Sequence, residues 1–259
     1  MEYRRAQGIA SVLLAIAAVA APAAAAQEIT VAWRDNPPYN FLEQGQEKGF
    51  LLARGKRIFE LARVPAQFTL EPTKRIWAKF RVGTPNYCSL GRYHIAAREP
   101  IMQYSLPIHI DPPRIVLAAP GTADRVRAHK TLASLLADPT LSMGMSDGAS
   151  FGTEIDAMLA NAHTKVERRT VESPLMMKLL AANRVSFVIV DRIAWQYWRM
   201  HDPAALGVVP HDLPDMPAGQ KRYLVCSKDI PAGVMDRLNT AIKSLKIGPQ
   251  PLTEAELSQ

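Results

Sequence analysis

Ser150 lies in Gly148-Ala149-Ser150-Phe151-Gly152, and Gly-x-Ser-x-Gly is the spacing of a nucleophile elbow, a sharp strand-to-helix turn that exposes a hydroxyl. Asp191 and His211 follow it. In that order an imidazole could take the serine proton while the carboxylate orients the ring, the arrangement of acyl transfer. Two features oppose this. No glycine-rich segment for an oxyanion hole precedes the serine, and Ser146-Asp147 interrupts the apolar strand that should run into the turn. Geometry rather than chain order defines a triad. The same residues also have plainer uses, with Ser150 capping the next helix and Asp191 capping a helix over 192–198. The six histidines are dispersed, and no His-x-x-x-His pair has an acidic neighbour, so neither a metal site nor a cofactor is predicted.

The elements that must hold these residues alternate. Residues 28–33 read as a strand ended by Asn36-Pro37-Pro38, and 55–63 carry apolar residues at helical spacing. Residues 66–70 read as a strand, Thr73 as the N-cap of a helix to Phe80, 86–90 as a short strand and 114–118 as a stronger one. The middle repeats the grammar: helix at 132–137, strand at 141–145, helix from Thr153, helix at 173–182. Next comes the wholly apolar strand 185–190, as a buried parallel sheet requires. A helix after Asp191, strands at 206–209 and 223–226, and a helix at 234–245 complete the chain. Alternating strands and helices predict an α/β fold with mostly parallel sheets wrapped by helices.

The chain of 259 residues is 48% hydrophobic and 21% charged, the composition of a globular protein. Its net charge of +7 comes from scattered lysines and arginines rather than a stripe. That distribution gives no reason to expect a nucleic-acid partner, and it suits an anionic or zwitterionic small ligand. Arg4 and Arg5, the apolar run 9–21 and Ala24-Ala25-Ala26 have the form of a secretory signal peptide over 1–26. Export implies an oxidising compartment, where two cysteines, Cys88 and Cys226, favour a disulfide. Closing a loop that long contributes ~4 kcal/mol in the chain-entropy description. The pairing would bring the C-terminal strand back beside the first unit. The first lobe is then discontinuous, over 27–118 and 213–259, with a second lobe over 119–212 inserted between Pro- and Gly-bearing crossings.

Arg98, five spacers, then Tyr104-Ser105-Leu106-Pro107-Ile108 resembles the family-3 periplasmic solute-binding proteins, and the resemblance extends over nearly all the chain after residue 26. It implies the two-lobed type II periplasmic binding fold, with lobes joined by a two-segment hinge. It also implies a monomeric, non-catalytic periplasmic receptor that passes an amino-acid-like or small carboxylate solute to an ABC permease. In that family an arginine holds the ligand carboxylate bidentately, and the position falls on Arg98. The loop Asp35-Asn36-Pro37-Pro38-Tyr39 resembles one that presents an aromatic to the ligand, here Tyr39 or Trp33. The turn at Ala149-Ser150 would offer backbone N–H groups and a hydroxyl, and Asp191 would pair with a ligand ammonium. Gly49-Phe50 lacks the acidic residue that often follows it, and Ile95-Ala96-Ala97 replaces a hydroxyl-bearing run. A periplasmic accessory protein that binds a protein partner is the remaining alternative.

Overall fold

The computed structural model describes residues 28–147, 149–170 and 173–247. The expected signal peptide lies outside them. The first segment runs β1 (Ile29–Trp33), a hairpin of β2 (Phe41–Glu43) and β3 (Gln46–Lys48), α1 (Phe50–Ala62), β4 (Ala66–Leu70), α2 (Thr73–Arg81), β5 (Tyr87–Tyr93) and β6 (Gln103–Ile110). The chain then crosses to β7 (Ile115–Ala118), α3 (Ala123–Ala128), α4 (Leu132–Leu136), β8 (Ser142–Ser146) and α5 (Thr153–Ala160). The same unit continues with β9 (Lys165–Arg169), α6 (Ser173–Ala181), β10 (Phe187–Val190), α7 (Arg192–His201) and β11 (Val209–His211). A second crossing leads back to β12 (Lys221–Cys226) and α8 (Ala232–Ser244).

Two five-stranded sheets result, ordered β4-β1-β5-β12-β6 and β11-β7-β10-β8-β9. In each, one strand runs against the other four: β12 pairs antiparallel with β5 and β6, and β7 does so with β10 and β11. These are the strands that enter each sheet after a crossing. The fold class is therefore α/β in two lobes, each built on a mostly parallel sheet.

The first crossing falls earlier than the sequence suggested. The apolar pattern places residues 115–118 in the first lobe, yet β7 pairs only within the second sheet. Pro112 and Pro113 explain the shift, because neither has an N–H to continue a ladder, so pairing ends at Ile110 and the chain is free to cross. The second crossing occupies the stretch between β11 and β12. There the two crossings touch: Asp111 N–H donates to Gln220 O at 2.9 Å. At Gly219 a Cβ would lie 1.6 Å from Asp111 O, so no larger residue fits this crossing.

Other departures are local. Thr73 does not cap α2; Pro72 holds the cap position and no side chain caps the helix. The expected strand at 206–209 begins only at Val209, after a 3₁₀ turn. Strand β9, Lys-Val-Glu-Arg-Arg, escaped notice because it lies at a sheet edge and needs only one half-buried apolar residue.

Apolar residues cover both faces of each sheet. In the first lobe Ile58, Phe59, Leu238 and Ile242 pack on one side, while Ile76, Phe80 and Tyr87 pack on the other. In the second, Leu180, Trp195 and Trp198 oppose Leu132, Leu135 and Phe187. Full burial of such a side chain contributes roughly 1.5–3 kcal/mol. Ile193, from α7 of the second lobe, is buried in the first lobe's core, so the lobes meet through apolar surface as well as polar groups. Cys88 and Cys226 form a disulfide between directly paired positions of β5 and β12.

Candidate functional site

The polar centre of the molecule lies where the lobes meet, and the sheet of the first lobe builds most of it. Because β12 sits between β5 and β6, Arg222 has Tyr93 on one side and His109 on the other. Asp111 follows β6 at the start of the crossing. Tyr39 arrives on the loop before the β2–β3 hairpin, and α1 fixes it there: the free N–H groups of Leu51 and Leu52 donate to Tyr39 O at 2.9 and 3.2 Å. Gly49, at φ 117°, permits this approach, since a Cβ would lie 2.4 Å from the same oxygen. The second lobe contributes Asp191, which ends β10 and caps α7, as the sequence predicts for a strand running into a helix.

These groups form one network. Arg222 Nε donates to Asp111 Oδ1 at 2.7 Å, and Tyr93 Oη donates to Asp111 Oδ2 at 2.7 Å. Tyr39 Oη lies 2.7 Å from Asp191 Oδ2 and 3.3 Å from Asp111 Oδ1. An Arg222 terminal nitrogen reaches Asp191 Oδ2 at 3.5 Å, across the lobe boundary. Arg54 Nη1 donates to His109 Nδ1 at 3.2 Å, which leaves the ring proton on Nε2, 3.3 Å from Asp111. The Arg222 guanidinium also stacks 4.0 Å from the Tyr39 ring centroid and 4.7 Å from that of Tyr93.

Burial sets the electrostatics. It opposes ionisation of Asp111, but the Arg222 charge, the nearby His109 ring and hydrogen bonds from Arg222 and Tyr93 outweigh it and hold the carboxyl well below its ordinary range. Burial likewise disfavours the Arg222 cation, yet Tyr39, Tyr93, Asp111 and Asp191 together keep it more firmly charged than a free guanidinium. Burial, then the Asp191 charge, pushes the Tyr39 phenol far up, so it stays a neutral donor.

A carboxylate accepts about four hydrogen bonds. Asp191 Oδ1 already takes the N–H groups of Ile193 and Ala194, at 2.9 and 3.0 Å, and Oδ2 takes the Tyr39 hydroxyl, with the Arg222 cation 3.5 Å away as an ion pair. Asp111 takes Arg222 Nε on Oδ1 and the Tyr93 hydroxyl on Oδ2, with His109 Nε2 3.3 Å away as a weaker contact. Each carboxylate at the interface thus has hydrogen-bond donors and a cation supplied by the chain itself.

Beside this network opens a cavity of about 160 Å³. Its walls include both crossings, at Asp111–Arg114 and Pro217–Gln220, together with Phe151 and the first turn of α5, so both lobes enclose it. Arg114 stands 5.1 Å from the Phe151 ring centroid, and Glu154 faces the same space. Neither makes an ion pair among the described residues. Among those residues there is also no cluster of side chains arranged to hold a metal ion.

The positions singled out from sequence are only partly gathered here. Asp191 and Tyr39 meet in the network. Trp33 is wholly buried in the first lobe's core, with its indole nitrogen unpartnered, and does not line the cavity. Arg98 does not line it either; its guanidinium lies 3.8 Å over the Trp77 ring. Ala149 N–H is tied to Ser146 O at 3.1 Å, and the Ser150 hydroxyl donates to Asp156. Ser150 precedes the cavity-lining residues Phe151 and Gly152, and Gly152 rather than Ser150 holds the cap position of α5.

His211 Nε2 donates to His129 O at 2.9 Å. The three residues of the hydrolase order are thus bonded to separate partners and assemble no triad. Sequence reasoning overlooked Asp111, Arg222, Tyr93, His109 and Arg114. The one available signal was Asp111-Pro112-Pro113-Arg114, a charged pair flanking prolines directly after an apolar strand.

No family profile matches the sequence, and no curated protein matches it either. Many solved structures do share the fold. An ancestral arginine-binding protein bound to arginine aligns with a TM-score of 0.64 at 17% identity, over 89% of this chain and 95% of its own. The arginine-, lysine-, histidine-binding protein ArtJ of Geobacillus stearothermophilus aligns at 0.64 and 13%, over 85% and 90%. A structure from work on glutathione import through GshT and the cystine ABC importer of Streptococcus mutans aligns at 0.66 and 13%, over 85% and 90%. The chain therefore has the two-lobed type II fold of periplasmic solute-binding proteins.

Proposed function

We propose that the protein is a non-catalytic receptor whose lobes close over a small polar solute, zwitterionic or anionic and amino-acid-like in size. The observation that carries this is the cavity at the hinge: both lobes and both crossings wall it, and it presents charges that the chain leaves unpaired. Contacts made only when both lobes meet the solute would stabilise the closed form. Proteins of this fold that bind arginine or glutamate support the solute class. The signal-like N-terminus, the disulfide and the fold support a periplasmic monomer that hands its solute to an ABC permease. Melting of the chain lacking residues 1–26 against amino acids and small carboxylates tests the reading. A solute at about 100 times its Kd adds ~2.7 kcal/mol. A selective rise in melting temperature is expected, and none across the panel would exclude it in favour of a protein-binding accessory role.

A further inference from the structure

The cavity and the network beside it divide the available charges in two. Inside the network, Asp111 and Asp191 share the Arg222 cation and take hydrogen bonds from Arg222, Tyr93, Tyr39 and the first N–H groups of α7. A ligand ammonium arriving at Asp191 would have to displace Arg222 or Tyr39. It would then set a second cation beside a buried guanidinium left with Asp111 alone, a costly exchange. Outside the network, the cavity wall carries two ionised groups of opposite sign with no ion-pair partner among the described residues, Arg114 and Glu154. Arg114 stands where the first crossing enters the second lobe. Its planar fork, backed by the Phe151 ring, suits a carboxylate. Glu154, exposed in the first turn of α5, has free acceptor positions. A solute with a single charge would leave one of the two unmatched, whereas a zwitterion answers both.

We propose that the solute is a zwitterion held by Arg114 through its acid group and by Glu154 through its ammonium, while Asp191 serves to join the lobes. This rests on the receptor reading above and gives it a solute class and two recognising residues. The test is calorimetric titration of the protein lacking residues 1–26 with matched pairs that differ only in the amino group: alanine and propionate, glutamate and glutarate, arginine and guanidinovalerate. The expected result is that one amino acid binds about ten- to a hundredfold tighter than its deaminated partner, the worth of one charge-assisted contact. Glu154→Gln should erase that ratio, and Arg114→Met should abolish binding of both members. Asp191→Asn should weaken both members alike and keep the ratio. If Asp191→Asn erased the ratio while Glu154→Gln preserved it, the ammonium would lie at Asp191, and this proposal would fall with the receptor reading intact. A deaminated acid binding as tightly as its amino acid would overturn it in the same way. No binding by any probe would overturn both.

Discussion

Arg222 of the first lobe and Asp191 of the second approach to 3.5 Å, with Tyr39 donating to the same carboxylate oxygen at 2.7 Å. The cation that satisfies Asp191 is thus supplied by the chain. Asp191→Asn would weaken this link without removing the cap of α7, since the amide oxygen still accepts there. Small-angle scattering of the ligand-free protein should show a larger radius of gyration for Asp191→Asn than for the parent. Equal radii would mean that the apolar contact at Ile193 holds the lobes without the link.

Acid should loosen the same network from the other side. The Asp111 carboxyl is held below its ordinary range, so as pH falls the unfolded chain takes up that proton first. The stabilisation is complete above the unfolded value of about 3.9 and drains away as pH drops from there toward the lower folded value. Asp111→Asn should cost about 3–5 kcal/mol at neutral pH by stranding Arg222, and should flatten the acid limb of stability. Urea midpoints measured from neutral pH down to about pH 3 check both effects. An unchanged acid limb would contradict the assignment.

Gly219 presses against the carbonyl of Asp111, and its missing Cβ is what permits the two crossings to touch. Gly219→Ala is expected to separate them and break the 2.9 Å bond from Asp111 N–H to Gln220 O. The loss should exceed the ~1 kcal/mol of an ordinary substitution, because backbone rather than a side-chain tip must move. Thermal melting reads it directly, and a variant as stable as the parent would show that the crossing tolerates displacement.

Cys88 and Cys226 close a loop of 138 residues. Chain entropy assigns such a closure about 4–5 kcal/mol. Reductant should lower the urea midpoint of the parent substantially and leave a Cys88→Ala, Cys226→Ala double variant unmoved.

Arg98 offers a test of position against pattern. Stacked on Trp77, it should contribute about 0.5–1 kcal/mol to stability. Arg98→Ala should therefore melt slightly earlier while binding solute as the parent does. Abolished binding would instead restore the carboxylate clamp that its sequence context suggests.

The contrast between Asp191 and Arg222 shows how much of this site was legible in the sequence. Phe187-Val188-Ile189-Val190 declares a buried strand by composition alone, and an aspartate after it declares a cap, so Asp191 can be placed without knowing its neighbours. Arg222 sits in Lys-Arg-Tyr, which reads as an ordinary polar strand start. Its importance comes from lying between Tyr93 and His109, a register fixed by a crossing more than a hundred residues after them. The lobe division was legible through the disulfide and the breaks in apolar pattern, but its first boundary was misjudged, because β7 is equally apolar whichever sheet receives it. Arg98 and Trp33 carried recognisable spacing, and spacing alone does not say which way a side chain faces.

The placement of β12 also sets an order of events during synthesis. Strands β5 and β6 do not touch each other in the ladder; both pair with β12. Until residues 221–226 emerge, the first lobe has a three-stranded fragment, β4-β1-β5, and the lone strand β6. The second lobe, by contrast, has all five of its strands once His211 has been made. The half of the molecule that begins first can therefore complete its sheet only last.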